Sequence, residues 1–156
     1  MIGIDLVDLQ QASMDSNWMR RGFLKKLFTD QEQQYIMLAS QPSEMVWVLW
    51  SMKEAVYKIY NRTIGVRQFA PCKLRCRLNG NVSTTSYHGE VRIDNHIYYT
   101  SSEVLSGDYV HSIATVTPTD LDRRPFFLFT LQPDMDYKAM KPRCVSHHGR
   151  YLALIF

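Results

Sequence analysis

The chain has too few cysteines for a disulfide framework: Cys72, Cys76 and Cys144 are an odd set of three. Cys72 and Cys76 stand four apart with no His or Cys pair at zinc-finger spacing downstream. All three therefore read as reduced, mostly buried thiols of a cytoplasmic protein. No uninterrupted apolar segment approaches the ~20 residues needed to cross a bilayer. No secretory leader is read either, because Met1 is followed at once by a strand-like run with Asp5 inside it. Charge of one sign is also in short supply. The net +3 from 18 basic and 15 acidic residues falls well short of a dedicated nucleic-acid binder, though it permits an acidic partner. Repeats, low-complexity tracts and interdomain linkers are missing, and 156 residues make one domain, 1–156, with a real core.

What is present divides into helices first and strands after. In IGIDLVDL, Ile2, Ile4 and Leu6 alternate with Gly3, Asp5 and Val7, the pattern of a half-buried strand. Helical periodicity follows, with Asp15 or Ser16 as a cap for a first helix and Thr29 with Glu32 as a capping box for a second. Ser43 is a plausible N-cap for a long helix ending near Gly65. After Pro71, β-branched and aromatic runs alternate with turn residues at 79–81, His88-Gly89, 93–95 and 106–108. A loop at 117–125, a strand in FFLFTL, a second loop at 132–142 and a terminal hairpin in RCVSHHGRYLALIF complete the chain. The order predicts an α+β fold with a mainly antiparallel sheet.

The long helix raises a chemical question. LWSMKEAVYKIY is almost wholly apolar or aromatic, yet it holds Lys53, Glu54 and Lys58. Buried charges are costly unless paired, hydrogen-bonded or bound to a metal. Glu54 lies one turn beyond Trp50 and one turn before Lys58, so an i,i+4 ion pair worth ~0.2–0.5 kcal/mol is the simplest reading. A lone Asp such as Asp5 at a strand end is similarly more often a turn or cap residue than a ligand.

Taken together, GIDLVDL, GFLKKLFTDQE, WSMKEAVYK and Gly65 resemble, in that order, the 4′-phosphopantetheinyl transferase superfamily. Its pattern is roughly G-[IL]-D-[IL]-x-[ED] followed by W/F-x-x-K-E-A-x-x-K. The 49 positions separating Asp5 from Glu54 match the short holo-acyl-carrier-protein synthase type, and VSHHGRYLAL resembles that type's late Ser-His strand. The resemblance covers residues 1–69 well and 143–156 moderately. It leaves a hairpin-rich insertion at about 77–140 without a counterpart.

The resemblance implies transfer of 4′-phosphopantetheine from coenzyme A to a carrier-protein serine, with release of 3′,5′-ADP. Charge builds on phosphoryl oxygens in such a step, so positioning and electrostatics carry the catalysis. Magnesium suits it, with hard oxygen ligands from one or two carboxylates, waters and substrate phosphates. Asp5 and Glu54 match the metal carboxylates, and Glu54, or a water it orients, is the candidate to accept the serine proton. Lys58 matches the lysine that contacts phosphate. Lys53 either contacts phosphate or snorkels to solvent. Ser146 and His147 match a pair that contacts coenzyme A phosphates, or they belong to a hairpin turn. Where the short type often has a glycine-rich segment, only Gly65 is kept and Arg62 is inserted, which either binds a nucleotide phosphate directly or marks a different loop. Asp8 either joins the metal or caps the following helix. His111 lacks a following Gly and lies mid-strand, which makes it structural. The resemblance further implies a homo-oligomer, with a trimer favoured, and an acidic acyl or peptidyl carrier as partner. Arg20, Arg21, Lys25 and Lys26 would steer that carrier, or they form a solvated face.

Two rivals differ in class. One is a catalytically inactive scaffold of the same fold that binds carrier proteins. The other is a small nucleic-acid binder using the basic cluster and CKLRCRL, which lacks the aromatic interleaving of the recognised modules.

Overall fold

The computed structural model describes residues 1–65, 67–81, 85–123, 127–130, 132 and 135–156. Strand β1 (Ile2–Asp8) is followed by helices α1 (Leu9–Asp15), α2 (Phe23–Leu27), α3 (Asp30–Leu38) and α4 (Pro42–Ile64). Strands β2 (Arg75–Asn81), β3 (Ser86–Ile93), β4 (His96–Leu105) and β5 (Tyr109–Thr115) come next, then β6 (Phe127–Thr130), β7 (Cys144–His148) and β8 (Tyr151–Ile155). Five strands form one sheet in the order β1-β5-β4-β3-β2, every neighbouring pair antiparallel. A three-stranded sheet, β6-β8-β7, lies beyond it. The fold is α+β, as the order of elements predicts. No described helix is long and apolar enough to cross a membrane.

Both faces of β1 are covered, so the strand is buried throughout and not half-buried as its alternation implies. Ile2, Ile4 and Leu6 pack with Ile113, Cys144, Ala153 and Ile155 on the side of the small sheet. Val7 belongs to the larger core, where Val48, Leu49, Met52, Val56 and Ile59 of α4 meet Val91, Val104 and Val110 of the large sheet. Gly3 faces α4 at a distance no side chain tolerates: a Cβ there would stand 2.0 Å from the Ala55 carbonyl oxygen. The missing side chain lets the helix lie directly on the strand.

Several local expectations change. Asp8, not Asp15 or Ser16, caps α1, its carboxylate accepting from the backbone N–H of Gln10 and Gln11. Helix α4 begins two residues early, with Gln41 at its N-cap and Pro42 as its first residue, and Ser43 instead accepts a hydrogen bond from Trp18 Nε1. His88 and Gly89 lie inside β3 and pair with Ser101 and Thr100, so they form no turn. Residues 118–123 form 3-10 turns, as do Pro71–Lys73. The capping box of Thr29 and Glu32 and the end of α4 at Gly65 stand as read. Of the turn read at 79–81, Leu78–Asn81 shows as a register irregularity against β3, and residues 82–84 lie outside the described ones, as do 124–126 in the loop and strand that follow.

Because Gly3 meets backbone and not a flexible side chain, Gly3→Ala should destabilise the protein by ~3 kcal/mol, the upper end of overpacking costs. Urea unfolding of the two proteins measures this directly, and equal midpoints would show that α4 can move off the strand.

Candidate active site

Strand β1 is the terminal strand of its sheet, so one edge bonds β5 and the other must find partners elsewhere. Side chains supply them. Arg62 Nη1 donates to Ile2 O at 3.3 Å and Lys58 Nζ to Ile4 O at 2.7 Å. The Leu6 N–H donates to Ser146 Oγ at 3.1 Å and the Asp8 N–H to His148 Nδ1 at 2.9 Å. Residues of even number turn their backbone to this edge, and α4 and β7 flank it with polar groups.

Asp5 sits where these elements meet. Lys58 Nζ reaches its Oδ1 at 3.3 Å, and Ser146 Oγ donates to the same oxygen at 3.1 Å. The expected Glu54–Lys58 pair is therefore not the lysine's contact: Lys58 turns to β1. Glu54, half-buried, lines a cavity of about 370 Å³ together with Asp5, Trp47, Trp50, His147 and His148. Phe23 and Leu27 of α2 add to its apolar lining. Burial, and then the negative charge of Asp5, push the Glu54 carboxyl up to about 7, against the opposing pull of Lys58. The site thus holds two carboxylates that resist ionising together and one ammonium to balance them.

The other expected site residues divide. His147 is exposed and lines the cavity. Ser146 is not available to a phosphate: it is 6% exposed, and its single O–H donor is spent on Asp5. Gly65 stands at the C-terminal end of α4. It closes α4 in the left-handed region with φ 75°, its N–H bonded to Asn61 O. Arg62 lies two residues further along β1 than Lys58 and lines a different cavity.

Lys53 is neither a phosphate contact nor a snorkelling residue. Its ammonium is fully buried, with Glu32 Oε2 at 2.6 Å, Leu27 O at 2.9 Å and Pro71 O at 2.8 Å. Those acceptors match its three N–H donors. Glu32 in turn accepts from the backbone N–H of Thr29 and Cys76. The pair ties α2, α3 and β2 to α4, and removing one partner of such a pair typically costs about 3–5 kcal/mol.

Asp8 is the helix cap, and it is also locked elsewhere. Arg150 donates to it from its backbone N–H (2.9 Å), Nε (2.9 Å) and Nη2 (3.0 Å). The side-chain hydrogen bond from Arg150 is the largest effect holding the Asp8 carboxyl well below the usual carboxylate range, more than offsetting burial. Arg150 Nη2 also reaches Asp108, which accepts from the Tyr151 hydroxyl. This clasp holds the β7–β8 turn, and with it His147 and His148, against the end of β1. His148, Arg150 and Glu32 carry no signal of these roles in local sequence, since their partners lie 140, 142 and 21 positions away. His111 is buried in β5, and burial, helped by Lys58, pushes its imidazole down to about 3, which keeps it neutral.

Glu54 and His111 give opposite pH trends. Glu54 rises from an ordinary 4.5 to about 7, so its contribution to stability is present below about 4.5 and lost as pH rises through 7. His111 falls from 6.5 to about 3, so its contribution is present above about 6.5 and lost as pH falls towards 3. Comparing wild type with Glu54→Gln cancels the histidine. In metal-free urea unfolding, the variant should gain stability relative to wild type between about pH 5 and pH 8. A difference that does not change with pH would mean that Glu54 is not held among repelling charges.

Comparison with known proteins accords with this geometry. Over 64 aligned residues the chain is 31% identical to the holo-[acyl-carrier-protein] synthase of Natranaerobius thermophilus, covering 41% of this chain and 51% of the relative. The chain thus spans about half the length of the curated relative it matches. The sequence profile of the 4′-phosphopantetheinyl transferase superfamily matches residues 1–114, from β1 through β5 and including Asp5, Glu54 and Lys58. The chain belongs to the 4′-phosphopantetheinyl transferase superfamily.

Proposed function

We propose that the protein transfers the 4′-phosphopantetheine group of coenzyme A to a serine of an acyl or peptidyl carrier protein and releases 3′,5′-ADP. The observation that carries this reading is the meeting of Asp5, Glu54 and Lys58 where α4 crosses β1, beside one cavity. The donor set fits Mg²⁺. Two carboxylates line one site, and burial together with the charge of Asp5 holds the Glu54 carboxyl up. Among the described residues no group of three or more His, Cys, Asp or Glu is placed to hold a metal. Asp5 and Glu54 would therefore hold the ion with waters and substrate phosphates completing its shell. When bound, the ion supplies charge neutralisation to the phosphoryl oxygens.

The chain's own groups supply the rest. Lys58 uses two of its three donors on Ile4 O and Asp5 and keeps one for the pyrophosphate, with its side chain 26% exposed. Ser146 fixes the Asp5 carboxylate by donating to the oxygen that Lys58 also contacts. Glu54, directly or through a water, takes the proton as the serine oxygen bonds to phosphorus and the phosphorus–oxygen bond to 3′,5′-ADP breaks. His147 at the rim is placed to meet a phosphate oxygen.

Arg20, Arg21, Lys25 and Lys26 are exposed around Phe23 and Leu27, which line the same cavity. An acidic carrier docking there would present its serine to the site. On the same reading the chain self-associates, with a trimer favoured. The exposed edge-to-face pair of Phe127 and Phe156 is apolar surface that a second copy would cover. Three unpaired cysteines suit a reducing, cytoplasmic setting.

The test is to incubate the protein with coenzyme A, Mg²⁺ and several apo carrier proteins, then weigh the carriers by mass spectrometry. At least one carrier should gain a phosphopantetheine unit. Glu54→Gln should abolish the gain while retaining cooperative unfolding. No gain on any carrier would favour the scaffold reading, and transfer by the Glu54→Gln protein would overturn the roles given to the site.

A further inference from the structure

The turn between β7 and β8 is seated on the junction of β1 and α1 by contacts from successive residues. Ser146 Oγ accepts from the Leu6 N–H, and His148 Nδ1 accepts from the Asp8 N–H. Arg150 holds the Asp8 carboxylate from its backbone N–H and its guanidinium. Between His148 and Arg150, Gly149 adopts φ 52°, and a Cβ there would stand 2.5 Å from Asp8 Oδ2 and 2.8 Å from Gln11 Cβ. Asp8 is not free to give way, because its other oxygen caps α1. The position therefore needs glycine both for its backbone angle and for its missing side chain. All of these hairpin residues lie beyond residue 114, where the stretch matched by the superfamily profile ends.

This seat fixes the chemistry of one ring. A backbone N–H can only donate, so the His148 Nδ1 that meets it carries no hydrogen, and the imidazole proton sits on Nε2. Among the described residues Nε2 has no hydrogen-bond partner. His148 is half-buried and lines the cavity that also holds Asp5 and Glu54, where Val7, Ala12, Phe23 and Leu27 give much of the wall an apolar character. The hairpin thus brings a neutral donor, fixed in tautomer from behind, to the cavity of the candidate site.

Resting on the transferase reading above, we infer that His148 is a further substrate-contacting residue, its Nε2–H donating to an oxygen of the phosphopantetheine half of coenzyme A, the half that is transferred. The chemistry of that half fits the cavity. Beyond its phosphoryl group stand a dimethyl carbon, a hydroxyl and amide carbonyls, apolar bulk with neutral oxygen acceptors. A neutral imidazole suits such acceptors, whereas the ammonium of Lys58 answers the pyrophosphate charge. The 3′,5′-ADP half takes no part in the contact. Gly149 and Arg150 are positioning residues: they act by holding the ring, not by touching substrate.

Calorimetric titration with coenzyme A and with 3′,5′-ADP, in the presence of Mg²⁺, tests this. Asparagine separates the two ring nitrogens, because its amide oxygen takes the place of Nδ1 on the Asp8 N–H while nothing takes the place of Nε2. His148→Asn should keep the urea midpoint of wild type and bind 3′,5′-ADP as wild type does. Its affinity for coenzyme A should fall about fivefold, the effect of one neutral hydrogen bond. Gly149→Ala, which alters no group that meets substrate, should show the same split between the two nucleotides by unseating the ring. Coenzyme A affinity unchanged in His148→Asn, or lost together with 3′,5′-ADP affinity in both variants, would overturn the inference and leave the transferase reading standing. Failure of wild type to bind either nucleotide would overturn both.

Discussion

A strand at the end of a sheet has a row of backbone groups with no strand to bond, and a buried strand cannot leave them to water. Strand β1 meets this constraint with side chains. Arg62 and Lys58 donate to Ile2 O and Ile4 O, while Ser146 and His148 accept from the N–H groups of Leu6 and Asp8. These residues are thereby gathered in one row, each fixed at one end by the backbone. The same row borders Asp5. A strand partner in that position would have satisfied the edge and removed the polar cleft, so the unpaired edge is the feature on which the candidate site rests.

Close contact on the other side completes the arrangement. Gly3 lets α4 lie against β1 with the Ala55 carbonyl in the space of a missing side chain, and Ala55 is the residue after Glu54. The carboxylate of the helix is thus carried to the carboxylate of the strand by backbone packing, which does not yield as a flexible side chain would. Two charge networks outside the site keep that geometry rigid. Lys53 and Glu32 fasten α2 and α3 to the helix, and the exposed Arg150 fastens the β7–β8 turn to the buried Asp8. The Lys53 ammonium is saturated with hydrogen bonds, which is what allows that pair to be buried. The Asp5–Glu54 pair is not saturated, and its residual repulsion is what a cation in a phosphoryl-transfer site would relieve.

Much of this was legible in the sequence where the signal is local. Period-2 alternation gave the faces of β1, Thr29 with Glu32 gave a helix start, and Gly65 gave a helix end. The charged trio in an apolar helix pointed to the site because a burial cost demanded a partner. What stayed hidden depends on contacts across the chain. Lys53 lies on the same helix as Lys58 and has the same chemistry, yet one meets a buried glutamate and the other a strand edge. Ser146 and His147 are adjacent, but strand alternation turns one inward to Asp5 and the other outward to the rim. Asp8 had two readings of equal weight until the Arg150 guanidinium, 142 positions away, settled its oxygens. His88-Gly89 has turn composition and is strand, because pairing of both with β4, and of Gly89 with β2 as well, overrides a two-residue preference.

The central claim is that Asp5 and Glu54, brought together by β1 and α4, form one cation site. Titrating Mg²⁺ into wild type, Asp5→Asn and Glu54→Gln, with binding followed by calorimetry, tests it most directly. One ion per chain should bind the wild type, and either substitution should weaken binding by at least about tenfold, since each removes one of two carboxylate ligands. Wild-type affinity retained by either variant would contradict the claim, because the two carboxylates would then not share the ion.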